Sequence, residues 1–282
     1  MSEMILMDEF EALRPRLFGI AYRMLGSAME AEDIVQTAYL RAHDAGEMQS
    51  AKAYLTRVVT NLCLDQLKSA RERREVYVGD WLPEPVLTPD DTAEERETLS
   101  MAFLLLLDHL SPPERAVFLL HEVFDYSHDE IGEVLGKTPA ACRQLLRRAK
   151  THLGDPPTPT PDPQGHALLH QFIEAMSSGD VEQIMALMTG DVAAISDGGG
   201  KAVAARRTVE GAEPVTRLIK GVVRTGVKPT TRYTMPVING EVSVVVWEGD
   251  QIVTVLIPEW RDGKLHRIYF MRNPDKLNLR TV

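Results

Sequence analysis

Two sets of side chains in this sequence have the types and spacing needed to handle nucleic acid. Between Pro139 and Leu153, Arg143, Arg147 and Lys150 recur at i, i+4 and i+7, with Gln144 and Arg148 beside them. Guanidinium and carboxamide groups are the donors that read base edges and phosphates. Earlier in the chain, Arg57, Asn61, Leu64 and Lys68 fall at i, i+4, i+7 and i+11. That spacing puts a carboxamide between two cations. A surface that opens a duplex needs this combination: charge for the backbone and a polar group for an extruded base, because unstacking costs a few kcal/mol. A third set, Asp197 with His166, His170 and His266, has the residue types of an acid–base pair, but no spacing ties its members together. No catalytic residue, metal site or cofactor is expected.

The elements that must position these groups follow from local signals. Ser127 and Glu130 have the S-x-x-E spacing of a capping box, Gly136 stands where a helix ends, and Thr138 with Pro139 opens a second helix. Cys142, Leu145, Leu146, Ala149 and Leu153 then share one face, and the arginines look the other way. The result is a helix-turn-helix whose second helix suits a major groove. The Arg57–Lys68 stripe lies on a helix running from Ala51 to Arg74, the last of several helices between Asp8 and Arg74.

The net charge of −10 and pI of about 5.3 are unusual for a protein that meets DNA. The charge is unevenly placed, however. From Glu75 to Glu97 there are eight acids against one base, whereas from Pro156 onward acids and bases balance. The acidity therefore belongs to a linker, in which Pro83, Pro85 and Pro89 oppose helix and favour an extended chain. Trp81, between Gly79 and Pro83, is expected to be a buried anchor. Cys63 and Cys142 lie on apolar helix faces and read as small core residues. No basic segment followed by an apolar one marks the N-terminus, and no apolar run approaches the roughly 20 residues of a membrane helix, so a cytoplasmic location is expected.

A proline-dense spacer, GDPPTPTPDPQ, precedes a change of periodicity. HALLHQFIEAMSSGDVEQIMALM reads as two helices and GAEPVTRLIKGVVR as a third. VAAIS and KAVAARRTV read as short strands around Asp197-Gly-Gly-Gly. TTRYTMPVI, EVSVVVWEG, QIVTVLIPEWR and KLHRIYFM read as a meander with hairpins at Asn239-Gly240 and Asp262-Gly263. One sheet wrapped on helices is expected.

With these residues in view, positions 1–153 resemble an extracytoplasmic-function sigma factor of bacterial RNA polymerase. LFGIAYRMLGSAMEAEDIVQTAYLR and AYLTRVVTNLCLDQLKS look like region 2, and LSPPERAVFLLHEVFDYSHDEIGEVLGKTPAACRQLLRRAKTHL looks like region 4. The remainder resembles a SnoaL-like domain. WLPEP (Trp81 to Pro85), DGGGK (Asp197 to Lys201) and NPDKL (Asn273 to Leu277) point to the subgroup that carries such an extension.

The resemblance implies a multidomain protein: two all-α sigma domains and an α+β cone. Its parts are region 2 at 1–75, an acidic linker at 76–92, region 4 at 93–154, a proline-rich linker at 155–163 and the SnoaL-like domain at 164–282. It implies no enzyme activity. Its partners would be polymerase core, gripped at the clamp helices of the large subunit through Asp33, Gln36 and Arg41, and promoter DNA. Arg57, Asn61 and Lys68 would serve the minus-ten element, Asn61 with the loop His43 to Ser50. Lys137, Thr138, Arg143, Gln144 and Arg147 would serve the minus-thirty-five element. Trp81, Pro83, Asp197, Gly198, Gly199, Gly200, Lys201, Asn273, Pro274, Asp275 and Lys276 would form a regulatory contact, and the C-terminal domain could hold a small ligand. The alternative is a DNA-binding regulator fused to a SnoaL-type small-molecule-binding or catalytic domain.

Overall fold

Apolar stripes at helical spacing assemble the first three helices. The computed structural model describes residues 3–45, 50–88, 98–154, 164–226 and 228–281. In it, α1 (Glu3–Leu25), α2 (Ala28–Ala45) and α3 (Ala51–Glu75) pack on one another through Leu17, Ile20, Met24, Val35, Leu55 and Val59. Four helices follow: α4 (Met101–Leu107), α5 (Pro112–Phe118), α6 (His128–Leu135) and α7 (Pro139–Leu153), with a π-turn at Leu119–Val123 after α5. Cys63 and Cys142 are buried free thiols, and burial pushes both up from the ordinary thiol range.

The expected caps form. Ser127 Oγ accepts from Glu130 N–H, and the Glu130 carboxylate accepts from Ser127 N–H at 2.8 Å. Gly136 is left-handed at φ 62°, and Thr138 Oγ1 accepts from Ala141 N–H at 3.2 Å.

The chain divides into two units: one holds the described residues of 1–75 and 104–157, the other those of 76–103 and 158–281. The second unit contains α8 (Gly165–Ser178), α9 (Val181–Ala186) and α10 (Ala212–Gly226). Its main sheet has the order β3-β2-β9-β8-β7-β4, made of β2 (Met188–Asp197), β3 (Val209–Glu210), β4 (Thr231–Thr234), β7 (Val244–Glu248), β8 (Gln251–Arg261) and β9 (Lys264–Met271). Strands β2 and β9 are parallel, and the other pairs are antiparallel. Leu169, Phe172, Ile184, Val192, Val215, Ile219, Leu265, Ile268 and Phe270 fill the space between helices and sheet. This is the expected α+β cone.

The strand pattern departs from expectation in three places, one of them EVSVVVWEG, which divides at Ser243 into Glu241–Val242 and Val244–Glu248 in different sheets. Lys201–Thr208 is irregular, because Lys201 and Ala202 both donate backbone N–H groups to the Gly198 carbonyl and close a turn. The run TTRYTMPVI breaks at Met235–Pro236, since proline has no N–H for a ladder. After the break, β5 (Val237–Ile238) leaves the main sheet and joins a second one, ordered β10-β1-β5-β6, with β6 (Glu241–Val242) and β10 (Arg280–Thr281).

Strand β1 of that sheet is Val86–Leu87, which comes from the segment read as linker. It pairs parallel with β10 and antiparallel with β5. The linker is therefore part of the C-terminal unit. Region 4 was expected from residue 93, but the second unit retains the chain through Phe103. Asn239 Nδ2 donates to the Leu99 carbonyl at 2.9 Å, and Leu99 and Met101 are buried. Gly46–Gln49, Pro89–Glu97 and the proline-dense 155–163 lie outside the described residues.

His266, on β9, is buried. Burial, and then the Arg261 guanidinium, hold its imidazole below the ordinary range, against the smaller opposing pull of Glu259 and Asp191. A depressed folded-state value means the unfolded chain binds the proton more readily, so this stability is present near pH 7 and is lost as pH falls below about 6.5. The melting midpoint should decline between pH 7 and 5.5. His266→Gln should flatten that decline in a thermal titration, and an unchanged slope would exclude His266 as its source.

Candidate nucleic-acid interface and linker latch

On α7, the buried residues Cys142, Leu146, Ala149 and Leu153 face inward, which leaves the opposite side to solvent. Lys137, Thr138, Arg143, Gln144 and Arg147 are all exposed, as a groove-reading face requires. Lys150, beside them, pairs with Glu122 at 2.9 Å. A cleft of about 650 Å³ runs along this helix, lined in part by Phe118, His128, Leu146 and Leu153.

On α3, Leu55, Val59, Cys63 and Leu67 point into the bundle, so Arg57, Asn61 and Lys68 are exposed on the other side. Arg57 lies over the Tyr54 ring at 5.7 Å, and Lys68 pairs with Asp65 at 2.8 Å. Both pairings are solvent-exposed and therefore weak. Asn61 Nδ2 lies 3.5 Å from the Val134 carbonyl on α6.

On α2, Asp33, Gln36 and Arg41 are exposed as expected. Met29 and Leu40, 52% and 58% exposed, occupy the same stripe at i−4 and i+7 from Asp33. Sequence reasoning missed these two. Apolar side chains at polar positions of an amphipathic helix were the available signal.

The three glycine- and proline-bearing motifs meet at Asp197, which closes β2 and is fully buried. Its carboxylate accepts from Tyr77 Oη at 2.6 Å, Leu82 N–H at 3.0 Å, Gly199 N–H at 3.0 Å and Lys276 Nζ at 2.8 Å. Its carbonyl accepts from Arg272 and Asn273 N–H. Lys276 also donates to the Leu82 carbonyl at 2.7 Å and sits over the rings of Trp81 and Tyr77, at 4.3 and 5.1 Å. Asn273 Nδ2 donates to Tyr77 Oη at 2.8 Å. Burial, and then the Asp197 carboxylate, push the Tyr77 phenol well up, so it remains a donor.

Backbone geometry makes this approach possible. Gly199 is left-handed at φ 57°, and a Cβ there would lie 2.3 Å from Asn273 Nδ2. Gly200 lies against Val78, and exposed Lys201 pairs with Asp275, whose neighbour Pro274 is also exposed. Pro83 and Gly198 are buried. The fully buried side chain of this segment is Leu82, and Trp81 beside it is partly buried, with the Lys276 ammonium over its ring. Asn239, read only as a turn residue, is a second clasp, with its Oδ1 accepting from Val86 N–H at 3.1 Å.

The acid–base set is not assembled. Among the described residues, the Asp197 carboxylate makes no hydrogen bond or ion pair with a histidine, and its oxygens are taken by linker and loop donors. His166 and His170 lie with tilted rings 4.8 Å apart on an exposed turn of α8. Among the described residues no group of three or more His, Cys, Asp or Glu could hold a metal, and no helix is long and apolar enough to cross a membrane.

A three-helix bundle and a helix-turn-helix, each with exposed arginine, carboxamide and lysine donors, define a promoter-reading transcription factor. Residues 10–73 match the family model for sigma-70 region 2, and residues 100–153 match that for sigma-70 region 4. The chain is 37% identical to ECF RNA polymerase sigma factor SigJ of Mycobacterium tuberculosis, over 95% of this chain and 92% of the relative. A probable ECF sigma factor of the same organism, SigI, is 30% identical over 95% and 93%. The crystal structure of M. tuberculosis SigJ superposes with a TM-score of 0.78 at 34% identity, covering 96% of this chain and 97% of that one. The chain belongs to the ECF RNA polymerase sigma factors. It is an alternative sigma factor, directing transcription initiation, with a C-terminal SnoaL-like domain.

Proposed function

We propose that this sigma factor is restrained by its own C-terminal domain, which takes up the chain that must bridge the two promoter-reading blocks. The observation that carries the reading is the Asp197 latch, where Tyr77 and Leu82 of the linker are bonded within the SnoaL-like unit. Elements at minus ten and minus thirty-five are about 25 base pairs apart, roughly 85 Å of duplex at ~3.4 Å per pair. The stretch from Val76 to Phe103 reaches about 100 Å at most when fully extended. The two lengths are of the same order, so docking Tyr77–Thr88 takes roughly 40 Å of chain out of the free reorientation that a promoter complex draws on.

WLPEP, DGGGK and NPDKL meet at this latch, which supports placing the chain in the subgroup those motifs mark. The domain acts by contact and without chemistry in this reading. The Asp197 carboxylate is committed to the linker in this reading, and not to a substrate. Met29, Asp33, Gln36, Leu40 and Arg41 grip the clamp helices of polymerase core. Arg57, Asn61 and Lys68 serve the minus-ten element, the α7 face serves the minus-thirty-five element, and the work is done in the cytoplasm.

The test uses the full chain with purified core polymerase. Arg147→Ala should reduce initiation about tenfold at promoters that depend on the upstream element, a bidentate base contact being worth about 1–3 kcal/mol. Core binding should be unchanged. Equal loss of core binding would sink the assignment of α7 to DNA.

A further inference from the structure

Helix α10 turns a line of cations away from the core of the C-terminal unit. Its inward side is made by Val215 and Ile219, buried between helices and sheet. On the outer side Arg217, Lys220 and Arg224 fall at i, i+3 and i+7, and all three are exposed. Glu213, one turn before Arg217, pairs with it at 2.7 Å, but both groups are well exposed and the pair is weak. Among the described residues no carboxylate pairs with Lys220 or Arg224. The helix dipole accounts for a cation in the last turn, where Arg224 stands, but not for Arg217 and Lys220. From Pro156 onward acids and bases balance, so this is a local concentration of charge on a neutral domain.

A cleft of about 450 Å³ runs beside the three cations, lined also by Val181, Thr216 and Gly221. Gly221 lies inside the helix, where glycine is destabilising relative to alanine. A Cβ there would meet nothing within 4 Å, so packing inside the domain does not call for a glycine. Its effect is on the outside: it leaves the backbone beside Lys220 open to close approach by another surface. From Arg217 to Arg224 the helix rises about 10 Å, the axial length of three base pairs at ~3.4 Å each. All the residues lining this cleft belong to α9 and α10, and none to the linker, so this face and the Asp197 latch are separate places on the domain.

We infer that the outer face of α10, through Arg217, Lys220 and Arg224, is a further DNA-contacting surface, which takes the phosphate backbone of the duplex beside the minus-thirty-five element. The inference rests on the assignment of α7 to that element. Connectivity favours DNA over an acidic protein surface. The chain leaves α7 at Leu153 and enters the C-terminal helices at Gly165. The residues between them reach about 40 Å at most when extended, or about twelve base pairs of duplex. With α7 in the groove, this tether holds the α10 cations near the same duplex at an effective concentration in roughly the millimolar range. A contact too weak to hold a free domain is then strong enough to count. Phosphate contacts of this kind carry no sequence information, so base reading stays with α7.

Holoenzyme assembled from the full chain and core polymerase is titrated with two duplexes. One holds the minus-thirty-five element alone; the other is extended by about 20 base pairs on each side, past the reach of the tether. Lys220→Gln with Arg224→Gln should weaken binding to the long duplex about tenfold and reduce its salt dependence by about two units, one for each phosphate contact. Binding to the short duplex, core binding and the melting midpoint should be unchanged. Lys220→Arg with Arg224→Lys keeps both charges and should bind as the parent does. Long-duplex affinity within about twofold of the parent, with the same salt dependence, would overturn the inference. So would an equal loss on both duplexes. Loss of core binding with DNA binding intact would assign the face to an acidic protein surface and overturn it as well. Arg147→Ala keeps the two readings apart, because it should weaken both duplexes. No effect of Arg147→Ala on either would remove α7 from the DNA, a different result from a silent α10 beside an active α7.

Discussion

Asp197→Ala should lower the melting midpoint of the C-terminal unit by roughly ten degrees and release the linker. The carboxylate is fully buried and is the acceptor for four donors, one of them the buried ammonium of Lys276. Removing one partner of a buried ion pair leaves the other charge uncompensated, at a cost of about 3–5 kcal/mol. In a unit of this size each kcal/mol shifts the midpoint by about 2–4 °C. The stranded N–H of Leu82 and hydroxyl of Tyr77 add to the loss, unless they reach water by the linker lifting away. That route is the functional consequence: the low-energy response to the mutation is undocking. Protease sensitivity between Tyr77 and Thr88 should therefore rise together with the fall in midpoint, and promoter output should change with them.

A control separates charge from shape. Asp197→Leu with Lys276→Met removes both charges and should regain part of the lost stability, since a buried pair can be replaced by apolar groups at little net cost. Recovery should be incomplete, because the donors of Tyr77, Leu82 and Gly199 still lack their acceptor. Full recovery would mean that the linker bonds contribute nothing. A midpoint unchanged in Asp197→Ala would mean that the latch is not formed in solution.

The contrast between the helix-turn-helix and the latch explains what could be read from sequence. Ser127, Glu130, Gly136 and Thr138 act on neighbours three or four residues away, so their meaning lies in the spacing alone. The exposed faces of α3 and α7 follow from helical period in the same way. Asp197 works across 115 residues to Leu82 and 79 to Lys276. Nothing local distinguishes such an aspartate from one in an ordinary strand-connecting turn. The motifs marked the right neighbourhoods, but the partner Tyr77 and the second clasp Asn239 lay outside them.

The linker was misjudged for a related reason. Its prolines and acids describe an extended chain, and within the described residues Val86–Leu87 is a strand. Composition does not report whether an extended segment is solvated or paired, and here Val86–Leu87 is a sheet strand with Leu82 buried beside it. Apolar Leu82 and Val86 between prolines were the available sign. The same limit applies to the short strands: Pro236 in TTRYTMPVI announced a break, but not that the chain beyond it would pair with residues from the linker.

The second large effect is expected at α3. Asn61→Ala should strongly reduce strand opening at the minus-ten element while leaving core binding and closed-complex formation intact. A carboxamide that pairs with an unstacked base contributes about 1–3 kcal/mol of discrimination, so its loss lowers the open-complex population by ten- to a hundredfold. Arg57→Ala and Lys68→Ala should behave differently. Each removes a cation proposed to serve the phosphate backbone, so both should weaken DNA binding across sequences and reduce the salt dependence by about one unit each. The distinction is testable with a promoter whose minus-ten region carries a preformed mismatch bubble. Prior opening should restore initiation to the Lys68→Ala variant no more than to the parent. It should restore Asn61→Ala only in part, since the unpaired strand still needs its base held. Full rescue of Asn61→Ala by the bubble would assign this side chain to separating the strands and not to capturing a base. A normal open complex formed by Asn61→Ala on intact duplex would remove α3 from the minus-ten assignment altogether.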